Sequence, residues 1–420
     1  MSEWRKLPLK EITVKIGSGS TPTGGSGAYK ETGVSLIRSQ NVLDFSFTNN
    51  GLAFIDEEQA HALRNVIVEP QDVLLNITGD SVARCCSAPR EWLPARVNQH
   101  VAIIRANPKH LDSLFLKYSL ISIKDELLSL SEIGGTRNAL TKSMLENLKL
   151  FVPSVIEQKA IASVLSSLDD KIDLLHRQNK TLESMAETLF RQWFIEEAQD
   201  DWPSSSFSVW INDTKGGDWG KEFPVEDFIH PVQCVRGTDI SDLQNGLPAR
   251  TPLRFVKKKK FANISPENGD IIIEISGGTE NQSTGRCYFI NDEVKMIFKH
   301  PVVFSNFCRL LKIKKKKYSY FVYLYLSHLY KNDEMFAFEN GSSGIKNLDY
   351  KTMLFTETYR MPPCTLVEKF DEVVKVFFSK IISNKRKTQT LESLRDTLLP
   401  KLMSGEVRVQ YAKEAIASVA

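Results

Sequence analysis

Two long stretches of the chain place apolar residues at alternating steps of four and three. The first runs Ile161, Leu165, Leu168, Ile172, Leu175, Asn179, Leu182, Ala186, Leu189 and Trp193. The second runs Phe370, Val374, Phe377, Ile381, Asn384, Thr388, Leu391, Arg395, Leu398 and Leu402. A seven-residue period sustained over more than four heptads predicts two long helices, each with a coiled-coil seam. Residues 161 to 193 alone would span roughly 50 Å at ~1.5 Å per residue. Each helix could pack on its own domain, but the strict period favours packing of the two helices on each other. The polar breaks at Asn179, and at Asn384 with Thr388, are of the kind that fix register and orientation. An antiparallel pair needs a long return, and the residues between the seams are numerous enough to supply it.

Ahead of each seam the pattern changes. Val73-Leu74-Leu75-Asn76-Ile77, Val101-Ala102-Ile103-Ile104, Ile271-Ile272-Ile273-Glu274-Ile275 and Val302-Val303-Phe304 are short β-branched runs punctuated by Gly, Asn and Pro. They predict strands, with helices expected near 111–130 and 318–330. The fold class that follows is α+β: two β-rich domains, each followed by a long helix. The helices are expected to form an antiparallel coiled coil with pseudo-twofold symmetry. The expected divisions are 1–153, a first globular domain; 154–200, a first helix; 201–362, a second globular domain; and 363–420, a second helix with its tail.

The chain also repeats itself. Thr181-Leu182-Glu183-Ser184-Met185 recurs as Thr390-Leu391-Glu392-Ser393-Leu394, and Lys142-Ser143-Met144-Leu145 as Lys351-Thr352-Met353-Leu354, each 209 positions on. Nearer the start of each half the offset drifts. Arg38-Ser39-Gln40-Asn41-Val42 matches Arg236-Gly237-Thr238-Asp239-Ile240, and Asp72-Val73-Leu74-Leu75 matches Asp270-Ile271-Ile272-Ile273, both 198 positions on. The 420 residues therefore read as one unit written twice, with divergent loops at the front of each copy.

Composition then narrows the classes. Hydrophobic residues at 42% and charged residues at 25% describe a globular chain. A formal net charge of +3 excludes a strongly basic tail protein but allows a local basic patch. Six scattered cysteines without C-x2-C spacing predict reduced thiols, Cys85–Cys86 included. No apolar stretch is long enough to span a membrane and the N-terminus lacks a signal-peptide core, so a cytoplasmic protein is expected.

No catalytic constellation is legible. None of the seven histidines lies in an H-E-x-x-H pair. Gly17-Ser18-Gly19-Ser20-Thr21 lacks the lysine of a phosphate loop and is followed by Pro22, so a flexible or DNA-facing loop is the better reading. Asp270 with Glu274 resembles a metal pair only loosely, and surface carboxylates beside a strand are expected instead.

Other segments suit nucleic acid. Arg38, Ser39, Gln40 and Asn41, then Asn98, Gln99 and His100, offer the guanidinium and amide groups that bond base edges in pairs. Arg236, Thr238 and Asp239 are the second-copy counterparts of the first set, with Lys299 and His300 set beside the second. The loops carrying Thr136 with Arg137 and Ser343 with Lys346 could approach phosphates. The lysine runs 257–260 and 312–317 could add counterion release, or could be plain solvated loops.

With these residues in view, the chain resembles the specificity subunits of type I restriction–modification enzymes over essentially its full length. The likeness is carried by Ser18-Gly19-Ser20-Thr21-Pro22, Ile37-Arg38-Ser39-Gln40-Asn41-Val42, Asn98-Gln99-His100-Val101, Gly134-Gly135-Thr136 and Gly269-Asp270-Ile271. Val152-Pro153, Glu157-Gln158 and Glu187-Thr188-Leu189-Phe190 add to it. The resemblance implies two target-recognition domains that read a bipartite site in double-stranded DNA, with the helices as ruler and docking surface. It implies a non-catalytic chain without a cofactor of its own. Methyltransferase subunits would bring S-adenosylmethionine, and motor/nuclease restriction subunits would bring ATP and Mg2+ chemistry. The second copy departs from the pattern at Arg236-Gly237-Thr238-Asp239, at His300-Pro301 and at Glu368-Lys369. The competing class is a duplicated scaffold with two protein-binding heads, which a steep salt dependence of DNA binding would exclude.

Overall fold

The repeat in the sequence returns as a repeat of strand pairing. The structure, a computed structural model, describes residues 4–132, 138–244, 251–341 and 345–409. The chain folds as two units, Met1–Asp173 with Gln389–Ala420, and Leu174–Thr388. The boundary between them falls inside both long helices, Val155–Arg191 and Cys364–Met403.

In the first unit an antiparallel sheet runs in the order Thr13–Ser18, Val101–Ala106, Val73–Asn76, Cys85–Ser87. A second sheet runs Ala53–Ile55, Val34–Ile37, Ala95–Val97, Ile67–Val68, and its central pair is parallel. The second unit repeats the plan. Its antiparallel sheet is Ile211–Gly216, Cys308–Ile313, Ile271–Glu274, Cys287–Phe289. Its other sheet is Leu253–Lys257, Phe228–Val235, Val302–Phe304, again with a parallel pair, 228–235 beside 302–304. A small sheet of Ser276–Gly278, Lys346–Leu348 and Glu339–Asn340 is reduced, among the described residues of the first unit, to the antiparallel bridge of Thr78 with Ala139.

The strands fall where the β-branched runs predicted them because both faces are covered. Every residue of Val73–Asn76 and of Ile271–Glu274 is buried, as expected of central strands with helices against them. Those helices are Ser113–Ser122, continued by Lys124–Glu132, and Ser319–Lys331. Phe115, Leu116 and Tyr118 in one, and Phe321, Val322 and Leu326 in the other, are fully enclosed.

The long helices run antiparallel. Within the second unit, Trp193 and Phe194 meet Phe370 at ring separations of 5.7 and 4.9 Å. Fourteen residues back along one helix and fourteen on along the other, Asn384 Nδ2 donates to Asn179 Oδ1 at 2.9 Å. In the first unit Arg395 Nη1 donates to Asp169 Oδ1 at 3.1 Å. Seam positions Ile161, Leu165, Leu168, Ile172, Leu175, Phe370, Val374, Ile381, Leu391, Leu398 and Leu402 are buried. Leu182, Leu189 and Phe377 are half-buried. Each helix also buries a second stripe on its own domain, so both packing modes weighed from the sequence are present. Phe378 is stacked on Tyr320 at 4.6 Å and set edge-on to Phe289 at 5.1 Å.

One expectation needs correction. Asp270 and Glu274 are not surface carboxylates but buried ones. Glu274 accepts two bonds from Arg286 at 2.9 and 2.7 Å, and Asp270 accepts from Lys312 at 2.8 Å. The first unit builds the second of these pairs as Asp72 with Arg105, whose Nε donates at 2.7 Å. A buried carboxylate needs such a partner, so these are structural ion pairs. No group of three or more His, Cys, Asp and Glu among the described residues is placed to hold a metal. All six cysteines are free thiols, five of them buried. Burial pushes Cys86, Cys234, Cys287 and Cys308 up to about 12. No described helix is long and apolar enough to cross a membrane.

Candidate nucleic-acid interface

Parallel neighbours end on the same side of a sheet. In the first unit, therefore, the segments after Val34–Ile37 and Ala95–Val97 emerge side by side, and these are Arg38–Asn41 and Asn98–His100. The Asn98 amide donates to Ile37 O at 3.1 Å and locks them together. Antiparallel pairing of Thr13–Ser18 with Val101–Ala106 brings Gly19 to the same edge, where its amide donates to Asn98 O at 3.1 Å. A Cβ on Gly19 would lie 1.7 Å from Val97 O, so only glycine fits this crossing. Two more segments arrive through Ile77, whose amide donates to His100 O at 3.0 Å and whose carbonyl accepts from Leu140 N at 2.8 Å.

Asparagines hold this edge together from beneath. Asn41 is fully buried; its Oδ1 accepts from Arg38 N at 3.1 Å, and its Nδ2 donates to Thr48 O and Asn50 O at 3.0 and 3.2 Å. Asn76 Nδ2 donates to Ser39 O at 2.9 Å and Val42 O at 3.3 Å. Asn98 is also buried, and its Oδ1 accepts from His100 N at 3.0 Å. Asn41 and Asn98, proposed from the sequence as base readers, are thus occupied with the loop backbone in this structure.

What faces outward is a different subset. Gln40 and Gln99 are exposed, and Ser39 and His100 are half-exposed. Thr21 Oγ1 donates to Gln99 Oε1 at 2.5 Å, and Thr78 Oγ1 lies 2.5 Å from His100 Nδ1. The Arg38 guanidinium sits 5.1 Å from the Tyr29 ring centroid and bonds Gly51 O, while its Nε has no partner among the described residues.

The second unit assembles the same edge from its own parallel pair. Arg236–Asp239 follows Phe228–Val235, and Ser305-Asn306-Phe307 follows Val302–Phe304. The Ser305 amide donates to Val235 O at 2.9 Å, as Asn98 does to Ile37. Gly217 repeats Gly19: a Cβ there would lie 2.2 Å from Ser305 O. Ile275 N donates to Phe307 O at 2.8 Å and Leu348 N to Ile275 O at 2.9 Å, repeating the links through Ile77. Asp239 takes the place of Asn41, accepting from Arg236 N at 2.9 Å while buried. Its carboxylate also grips the Arg236 side chain at 2.9 and 2.8 Å. Beneath the turn, Glu274 replaces Asn76; a Cβ on Gly237 would lie 2.3 Å from Glu274 Oε1.

This register corrects one pairing made from the sequence. Lys299 and His300 precede the strand Val302–Phe304, so they lie at its opposite end. There the His300 amide donates to Gln233 Oε1 at 3.0 Å. The counterparts of Gln99 and His100 are the exposed Asn306 and Phe307. Matching histidine to histidine misled; counting from the end of the parallel strand would have found them. Thr238 is exposed at this edge. Lys346 is there too, its ammonium 3.1 Å from Glu339 and 5.2 Å from the Phe336 ring centroid. The lysine runs lie elsewhere. Lys257 ends its strand opposite Phe228, away from Val235, and Lys315 and Lys317 pair with Glu368 at the start of the second long helix. Thr136, Arg137 and Ser343 lie outside the described residues.

A family model described as a type I restriction modification DNA specificity domain matches residues 1–184. The type I restriction enzyme MjaIX specificity subunit of Methanocaldococcus jannaschii is 27% identical over 442 aligned positions, covering 97% of this chain and 94% of its own. The HindI specificity subunit of Haemophilus influenzae is 22% identical, covering 97% of this chain and all of its own length. The solved S subunit of a type I restriction–modification system from M. genitalium shares the fold at a TM-score of 0.58 and 18% identity, covering 96% of both chains. A duplicated fold, two long seamed helices and relatives aligned from end to end agree: residues 1–184 match the DNA specificity domain of type I restriction–modification systems, and the chain is similar along its whole length to their specificity subunits.

Proposed function

We propose that each unit reads one part of a bipartite site in double-stranded DNA through the loop edge at the ends of its parallel strands. The observation that carries this reading is the convergence of five segments at that edge, twice, with exposed Gln40 and Gln99 in one unit and Thr238 and Asn306 in the other. Amide side chains bond adenine edges in pairs, and Arg38 supplies a guanidinium beside them. The buried asparagines and Asp239 preorganise the loops. The unlike side chains at equivalent places fit two half-sites of different sequence. In this reading the long helices set the spacing between half-sites and offer surface to methyltransferase and restriction subunits. The chain itself performs no chemistry; S-adenosylmethionine, ATP and Mg2+ act in those partners.

The test is binding of a matched bipartite duplex by the chain assembled with its methyltransferase partner, followed across salt concentration. A steep inverse dependence on salt, with strong preference for the matched duplex over a scrambled one, is expected. Gln99→Ala and Asn306→Ala should each relax discrimination at one half-site, by about 1–3 kcal/mol per base pair affected. Equal affinity for matched and scrambled duplexes would exclude the function.

A further inference from the structure

Two cations occupy places on the second long helix where an apolar side chain would be the simpler choice. Lys385 is 5% exposed and Arg395 is 9% exposed. Arg395 stands in the seam itself, and Lys385 flanks the seam residue Asn384. Cations are rarely enclosed unless paired, and well-packed apolar replacements are often more stable. What each one touches gives the reason for its presence.

Lys385 Nζ donates to Gln244 O at 2.6 Å, to Leu243 O at 3.3 Å and to Tyr288 Oη at 3.4 Å. Those two carbonyls belong to the last described turn of the helix Gly237–Gln244. An enclosed ammonium bonded to backbone carbonyls makes charge-assisted hydrogen bonds, which are stronger than neutral ones. The first turn of the same helix carries Thr238 and Asp239, so Lys385 grips the element that begins with the recognition turn, one to two turns further on. Burial draws Lys385 down to about 8, so the ammonium still predominates at pH 7.

Arg395 does the corresponding job in the other unit. Its guanidinium lies 3.5 Å from the ring centroid of Phe45, and Asp169 accepts from its Nη1 at 3.1 Å. Phe45 lies four residues beyond Asn41 and holds a left-handed backbone, φ +66°. The Phe45 amide donates to Cys85 O at 3.0 Å, and neighbouring Asp44 accepts from Lys124 Nζ at 2.5 Å. In each unit, one enclosed cation of the second long helix thus meets the segment just downstream of the Arg-x-x-Asn or Arg-x-x-Asp turn.

We propose that Lys385 and Arg395 are positioning residues for DNA readout, each setting the recognition turn of its own unit against the second long helix. This rests on the DNA-reading function above and adds residues that touch no DNA. The experiment uses the full chain assembled with its methyltransferase partner, on duplex libraries randomised across both half-sites and scored by methylation sequencing. Lys385→Met should lower discrimination about tenfold at the half-site of the second unit only, and Lys385→Arg should restore most of it. Arg395→Met should act on the other half-site, with Arg395→Lys restoring only part because the flat stacking surface is lost. Amide hydrogen exchange supplies a readout without DNA. Lys385→Met should speed exchange in 237–244 and leave 38–45 unchanged, and Arg395→Met should do the reverse. If Lys385→Met does not fold, Lys385→Gln serves the same comparison. Folded variants with parental discrimination at both half-sites, or with both half-sites weakened equally, overturn the proposal. A parent complex with no sequence preference overturns the DNA-reading function itself, and this role with it, whatever the exchange data show.

Discussion

At the scale of single residues, the loop edges at the ends of the parallel strands are built by side chains that face inward. Asn41 and Asp239 perform one task with different chemistry, each capping the backbone of the arginine three residues before it. Glu274 shows what such a substitution requires. Where the first unit has Asn76 bonding the turn directly, the second buries a carboxylate and must enclose Arg286 with it. Arg286→Met should therefore destabilise the second unit by about 3–5 kcal/mol, because it leaves a buried charge unpaired. Glu274→Gln together with Arg286→Met should recover much of that loss in urea unfolding. Asp371 offers a pH-dependent counterpart on the second long helix. Burial raises its carboxyl from 3.8 to about 6, with Lys375 and Lys317 pulling the other way. A group whose proton affinity is higher folded than unfolded stabilises below the unfolded value and loses that contribution as pH rises through the folded one. Asp371→Asn should accordingly melt about 2–4 °C above the parent at pH 8, and the gap should close towards pH 4. An unchanged difference across that range would remove the assignment.

At the scale of elements, the seam was the most legible part of the sequence. Its period placed both long helices, and the two polar breaks at Asn179 and Asn384 turn out to bond each other. Replacing both with leucine should raise the melting temperature, whereas Asn384→Leu alone should cost about 1–3 kcal/mol by orphaning Asn179. Thermal melts of the single and double variants decide this. The sequence showed less of how these helices meet their own domains. Periodicity reports one stripe, and the second contact is chemically different in the two copies. Asp169 accepts from Lys117 Nζ at 2.9 Å and Tyr118 Oη at 2.6 Å. At the equivalent place, Phe378 packs among Phe289, Tyr320 and Tyr323. The loop edges were legible where strand and motif coincided, as at Arg38 and Arg236. They were hidden where residue identity distracted from register, as with His300. The side chains of Asn41, Asn98 and Asp239 bond groups within nine residues of themselves, but residue identity alone does not tell an inward-facing side chain from an outward-facing one.

At the scale of the whole molecule, the proposed spacing function has a simple mechanical test. Removing seven residues from each long helix in matched register shortens the pair by about 10 Å. The preferred spacer between half-sites should fall by about three base pairs, as read from the methylated motif; an unchanged spacer would remove the ruler role. The division of the chain also has a consequence in time. The second unit is one continuous stretch, 174–388, while the first is split between 1–173 and 389–420. A chain emerging from the ribosome can close its later-made unit first. The earlier-made one must wait, with Ile161, Leu165 and Leu168 uncovered, until Leu391, Arg395, Leu398 and Leu402 have been synthesised. A chain terminated after Thr388 should therefore keep a protease-resistant second unit and lose the first, so the helical turns beyond Thr388 set when the first unit can close.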